Sequence, residues 1–132
     1  MVQTQNQSLK LAVVNNAVTI AVSYQAIFSP LERHLAALGL AFREVIQVYG
    51  IDPPGSTTGT VIGLITPLQI IPVTDGPTPL TVNRSRAITV SRAQMQEDPI
   101  GDDDEIRCMI TVSLVGMPPS VPGWTPQQTL KG

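Results

Sequence analysis

Six of the chain's ten acids fall within nine residues: Glu97, Asp98, Asp102, Asp103, Asp104 and Glu105. Hard cations such as Ca²⁺ need several converging oxygens, so a run like this is the first place to look for a metal. The order is wrong for a helix-loop-helix calcium loop, because the Asp-x-Asp-x-Asp-Gly spacing is missing and Gly101 precedes the aspartates. A solvated acidic loop between two strands is the expected state, and no metal ligand is assigned.

The remaining chemistry-bearing residues are single and scattered. His34 is the only histidine and sits beside Arg33; a general base needs an orienting partner and a nucleophile within reach. Ser29 is better placed as a helix cap, and no serine lies in a Gly-x-Ser-x-Gly elbow. Gly55, Gly59 and Gly63 lack the spacing and the Lys-Ser/Thr of a phosphate loop. Cys108, the single cysteine, alternates with Ile106, Ile110, Val112 and Leu114, so it reads as a buried inert thiol. The sequence therefore points to a non-enzymatic chain with no catalytic residue, no metal and no cofactor.

Contact chemistry is better represented. Arg84 and Arg86 stand two apart, on one side of a strand, where like charges repel until partnered. Their partners could be the acidic run of the same chain, the acidic run of a neighbour, or solvent. Around the only tryptophan, Trp124, the prolines Pro118, Pro119, Pro122 and Pro126 remove backbone donors. A segment so punctuated is expected to be neither helix nor central strand. Pro118, Pro119, Pro122, Trp124, Arg84 and Arg86 are the candidate partner-contact residues.

Composition agrees. Charged residues make up 14% of the chain, against about 25% in typical soluble proteins, and lysine occurs only at Lys10 and Lys131. Lysine is depleted at interfaces, so a charge-poor chain fits one whose surface is covered in an assembly. A net charge of −2 supplies no basic face for nucleic acid. Aromatic residues are 4% of the chain, too few for a base-stacking platform. No apolar run reaches membrane-spanning length, since Asn15 and Asn16 interrupt the longest candidate. Met1 to Gln7 has no basic residue and is a poor secretory signal; the lone cysteine suits synthesis in a reducing compartment.

The elements that must position these residues are mostly β. Residues 17–25 alternate between two faces and the preceding Leu9 to Val14 reads as another strand, the two joined by Asn15-Asn16, a turn pair that tolerates positive φ. Ser29-Pro30-Leu31-Glu32 writes a capped helix start, followed by a Leu31, Leu35, Leu38 stripe and a stop at Gly39. That predicts one short helix over about 30–38, whose stripe must dock on the sheet or on a neighbouring subunit. Leu40 to Tyr49, Thr60 to Thr66, Leu68 to Val73, Leu80 to Ser91 and Glu105 to Val115 complete a series of strands, with Pro67 marking an edge or bend. The expected fold is mainly β: an antiparallel sandwich or barrel over 9–116, with extended arms at 1–8 and 117–132.

A polar N-terminal arm, a small β body, depleted charge and a Pro-rich C-terminal arm resemble the organisation of small virion structural proteins of tailed bacteriophages, capsid cement or decoration proteins above all. The resemblance implies a homo-oligomer that stabilises a shell against other structural proteins such as a major capsid protein, in the virion after synthesis in the host cytoplasm. Tail and neck components share this organisation. An adaptor-type β binding module is the alternative outside that class, and a small metal-binding protein or enzyme the third reading.

Overall fold

Asn15, at φ 55, and Asn16 turn the chain between β1 (Gln3–Val14) and β2 (Ala17–Phe28), as the turn chemistry predicts. The computed structural model describes residues 2–51, 59–95, 104–117 and 121–130. After β2 come α1 (Pro30–Ala37), β3 (Phe42–Ile51), β4 (Gly59–Leu64), β5 (Gln69–Ile70), β6 (Leu80–Ser91), the one-turn α2 (Arg92–Met95), β7 (Asp104–Leu114), β8 (Gly123–Trp124) and β9 (Gln128–Leu130). The strands make two antiparallel sheets that form a sandwich and do not close into a barrel. The first sheet has the order β1-β2-β6; the second has β4-β3-β7-β8, with β5 also on β3 and β9 also on β7.

Period-2 patterning builds the core. Along β2, Val18, Ile20, Val22, Tyr24, Ala26 and Phe28 are buried while the residues between them are half-exposed. They meet Phe42, Ile46 and Val48 of β3 and Ile106, Cys108, Ile110 and Val112 of β7. Each fully buried aliphatic or aromatic side chain contributes roughly 1.5–3 kcal/mol, so these stripes hold the two sheets together. Phe28 and Phe42 flank the helix and meet edge to face at 5.1 Å. Leu114, expected on the buried stripe, is half-buried at the strand's end.

The helix has the predicted start. Ser29 Oγ accepts from the Glu32 backbone N–H at 3.2 Å, and Glu32 Oε1 accepts from the Ser29 N–H at 2.9 Å, closing a capping box. Of its leucine stripe only Leu35 is half-buried, and the other two stay in solvent. Leu31 and Leu38 are 66% and 68% exposed, and the half-buried Ala36 with the buried Glu32 face the body instead. Arg33 staples the helix to the 74–78 loop, donating to the carbonyls of Thr74, Asp75 and Thr78 at 2.7–2.8 Å.

Both expected arms are corrected. Residues 3–8 belong to β1, with Val2 and Leu9 in the core. Gln5 and Asn6 face outward into an amide ladder, Gln5 donating to Gln25 at 2.8 Å and Gln25 to Asn83 at 3.0 Å, while Gln7 donates to Thr4 Oγ1 on the side of β8. A register shift between Gln5 and Ser8 surrounds Asn6 at φ 55. At the other end, β8 and β9 pair with β7, and Leu130 is 1% exposed. Prolines forbid one long strand there, but Pro122 and Pro126 fall just outside the paired residues, so two short edge strands form. The two supposed arms also touch: a side chain at Gly123 would collide with Thr4 Oγ1 and Gln7 Nε2.

Candidate interaction surface

Arg84 and Arg86 are brought together as the alternation predicts, and both bind Glu44 of their own chain. On β6, Arg84 lies opposite Tyr24 and Arg86 opposite Val22 of β2. Across the sandwich stands Glu44 of β3, whose side chain is fully buried. Glu44 Oε1 accepts from Arg86 Nη1 at 2.6 Å and Oε2 from Arg84 Nε at 3.0 Å, while the Tyr24 hydroxyl also donates to Oε2. Arg84 reaches on to Gln69 Oε1 at 2.8 Å and Arg86 to the Pro67 carbonyl at 2.6 Å. One carboxylate thus ties both sheets together and straps β6 to the β4–β5 connection.

The charges in this cluster are fixed. Burial alone would raise the Glu44 carboxyl, but the hydrogen bonds from Arg84, Tyr24 and Arg86 outweigh it and hold the group below its ordinary range. Burial, reinforced by the Glu44 hydrogen bond, pushes the Tyr24 phenol far upward, so it stays neutral. Burial opposes the charge on Arg84, and Glu44 more than restores it. Neither Glu44 nor Tyr24 is poised to exchange a proton near neutral pH; the cluster is a structural tie.

The tail contributes differently. Pro118 and Pro119 lie outside the described residues, and Pro122 is exposed. Trp124 is half-buried on its own sheet. Its ring meets Tyr49 edge to face at 5.1 Å, and the Arg107 guanidinium lies 5.1 Å from the ring centroid. Thr125 anchors this arrangement: its N–H donates to the Cys108 carbonyl at 2.9 Å, its Oγ1 accepts from the Cys108 N–H at 2.9 Å, and its carbonyl accepts from Arg107 Nε at 2.9 Å.

Strand register turns these residues into a surface. Paired residues in a sheet share a face. Leu64, Gln47, Met109 and Trp124 therefore form one row across β4-β3-β7-β8, and Val61, Tyr49 and Arg107 form the next. Ile70, paired with Arg43, continues the same outer face. Val61, Leu64 and Ile70 are 37–51% exposed. The outer face of the first sheet is unlike this: it carries rows of hydroxyls and amides, such as the Ser8–Ser23 contact and Thr19–Thr89 at 3.0 Å, and Lys10 is its one charged residue among the described residues. Sequence reasoning singled out Trp124 but missed Tyr49, Arg107 and Met109 beside it; their period-2 spacing on two strands was visible, the pairing of those strands was not.

His34 Nδ1 lies 3.6 Å from Asp75 on an exposed surface. Cys108 is buried, and burial pushes its thiol up to about 12. Among the described residues no cluster of three His, Cys, Asp or Glu could hold a metal; most of the 97–105 acidic run lies outside them.

Neither the protein-family models nor the curated proteins match this sequence. Among solved structures, β-glucosidase 3B from Thermotoga neapolitana in complex with glucose aligns over 100% of this chain and 17% of its own, at 13% identity and a TM-score of 0.38. The chain spans under a fifth of that structure's length, and the likeness carries no argument about function.

Proposed function

We propose that this chain is a structural assembly subunit, held in a larger protein array by its sheet surfaces, with a virion shell as the setting and capsid cement or decoration proteins as the kind. The observation that carries the reading is the outer face of the second sheet, where Trp124, Tyr49, Arg107 and Met109 stand beside exposed Val61, Leu64 and Ile70. Tryptophan, tyrosine, methionine and arginine are the residue types enriched at interfaces, and Trp, Tyr and Arg are those most often energetic anchors. A face that gathers these residue types, with Gln47 and Arg43 among them, fits a contact site.

Free arms no longer support the reading. A sheet face, held by β-sheet hydrogen bonds and the Thr125 bridge, takes their place and needs little ordering when it binds. The partners are further copies of the chain and a major shell protein. A non-enzymatic role fits the same features, since the buried Cys108 thiol is pushed far from reactivity and the Glu44 cluster is a closed tie.

Quantitative mass spectrometry of density-purified particles from the source tests this. The chain should be present in simple proportion to the main shell protein, and particles made without it should disassemble at a lower temperature. Trace amounts, or particles of unchanged thermal resistance, would overturn the cement reading.

A further inference from the structure

We infer that the edge of β6 turned away from β2 pairs antiparallel with the β6 of a second copy, about a dyad at Arg86, so that two sandwiches share one continuous sheet. This names the self-contact of the assembly reading and rests on it.

The argument begins with the backbone. β2 and β6 pair in unbroken register from Ala17↔Ser91 to Phe28↔Leu80. The Arg92 N–H donates to the Asn16 carbonyl at 2.7 Å, which places the even-numbered residues of β6 in the hydrogen-bonded pairs with β2. Antiparallel strands alternate, so the odd-numbered residues turn their N–H and C=O groups away. The odd set is Thr81, Asn83, Ser85, Ala87, Thr89 and Ser91, all exposed, and among the described residues no other strand meets this edge.

Long straight edges are normally blunted by proline, outward lysine or a bulge. β6 has none of these in its twelve residues, and its two charges, Arg84 and Arg86, turn inward to Glu44. The opposite edge, β1, is broken by the Gln5/Ser8 bulge. One edge is protected and the other is left open.

The strand itself says what fits there. Read outward from Arg86, the strand is close to a palindrome in size: Ser85 matches Ala87, Asn83 matches Thr89, Val82 matches Val90 and Thr81 matches Ser91, with Arg84 opposite Ile88 the exception. An antiparallel pair centred on Arg86 satisfies the odd-numbered backbone groups of both copies and sets Val82 against the partner copy's valine at position 90. The adjoining surface has the same need. A groove of about 330 Å³ opens between β6 and β4, lined in part by Ile62, Leu64, Ile88 and Val90, and the exposed Leu68 lies next to Pro67, which Arg86 binds. Side-by-side copies would cover this apolar rim and the strand edge together.

Proline scanning of the edge, read by size-exclusion chromatography with light scattering, tests the inference on the full chain. The Ala87 N–H points away from β2, so Ala87→Pro removes a donor that only the second copy uses. The wild type should run at twice the 14.1 kDa chain mass, and A87P should run at one chain mass with an unchanged far-UV spectrum. Ser85→Lys, which keeps every backbone group but places a charge at the seam, should give the same halving if A87P fails to fold. A wild-type dimer that persists in S85K would overturn the inference and leave the assembly reading standing on another surface. A wild type monomeric at all concentrations would overturn this self-contact, while the particle composition would still decide the assembly reading.

Discussion

Glu44 and Arg86 sit 2.6 Å apart across the sandwich, one from the centre of the second sheet and the other from the edge strand of the first. The carboxylate side chain is fully buried and the guanidinium 9% exposed, so water screens their attraction little. Arg84 and Tyr24 complete the group, and removing the carboxylate would leave two guanidinium groups facing an apolar interior.

Glu44→Gln should therefore cost about 3–5 kcal/mol of unfolding free energy, the usual consequence of stranding buried charge. Replacing the whole group with apolar residues of similar volume, by Tyr24→Phe, Glu44→Leu, Arg84→Met and Arg86→Leu together, should recover most of that loss. Urea denaturation of the two variants checks both halves. Equal loss in each would show that shape at this site matters more than charge.

Stability should fall at both ends of the pH scale. Glu44 is held below its ordinary 4.5, with burial opposing and Arg84, Tyr24 and Arg86 prevailing. A depressed carboxyl contributes stability that is complete above its unfolded value and lost as pH falls through the folded one. Tyr24 and Cys108 have the opposite sign. Burial raises both, Cys108 from 9.0 to about 12, so their contribution is complete below the unfolded values and lost as pH rises beyond them. Denaturation midpoints should be level between 4.5 and 9.0 and decline on either side. E44Q should flatten the acid limb and soften the alkaline one, since Glu44 helps to raise the Tyr24 phenol, while the Cys108 contribution stays.

The helix cap is a smaller test. Ser29→Ala removes one half of the capping box and should cost about 1 kcal/mol. A melting temperature unchanged from wild type would mean that the Arg33 staple, not the cap, fixes this helix.

How much of this was legible follows from how local each signal is. The Ser29–Glu32 box, the Asn15-Asn16 turn and the limits of β6 are written within a few residues, and the structure has them. The buried faces of β2 and β7 follow from alternation, Leu114 aside. Glu44 could have been found: it shares the inward face of its strand with Phe42, Ile46 and Val48, and an acid there demands cations. Which cations it finds is not local, because Arg84 and Arg86 are 40 and 42 residues away. The tail misled for a related reason. Its prolines rule out a long strand, but whether short pieces pair depends on the open edge of β7, which only the assembled second sheet provides. The polar residues of 3–8 read as an arm because amides on a strand look like solvated coil until Gln25 and Asn83 stand beside them.

Gly123 tests the closure of the two ends. An added Cβ would strike Thr4 Oγ1 and come within 2.6 Å of Gln7 Nε2. Gly123→Ala should then cost about 1–3 kcal/mol as an overpacking change and speed amide hydrogen exchange at Trp124 and Thr125 before it affects β2. Unaltered exchange across residues 121–130 would show that β1 gives way freely.

The most direct measurement is oxidative footprinting of the chain free in solution and in the purified particle, followed residue by residue. Trp124, Tyr49 and Met109 are oxidation-sensitive and share the outer face of the second sheet. Burial of that face should slow their labelling several-fold in the particle, while Tyr24, already buried, should react slowly in both. Equal labelling of Trp124, Tyr49 and Met109 in the two states would contradict the claim that this face holds the subunit in its assembly.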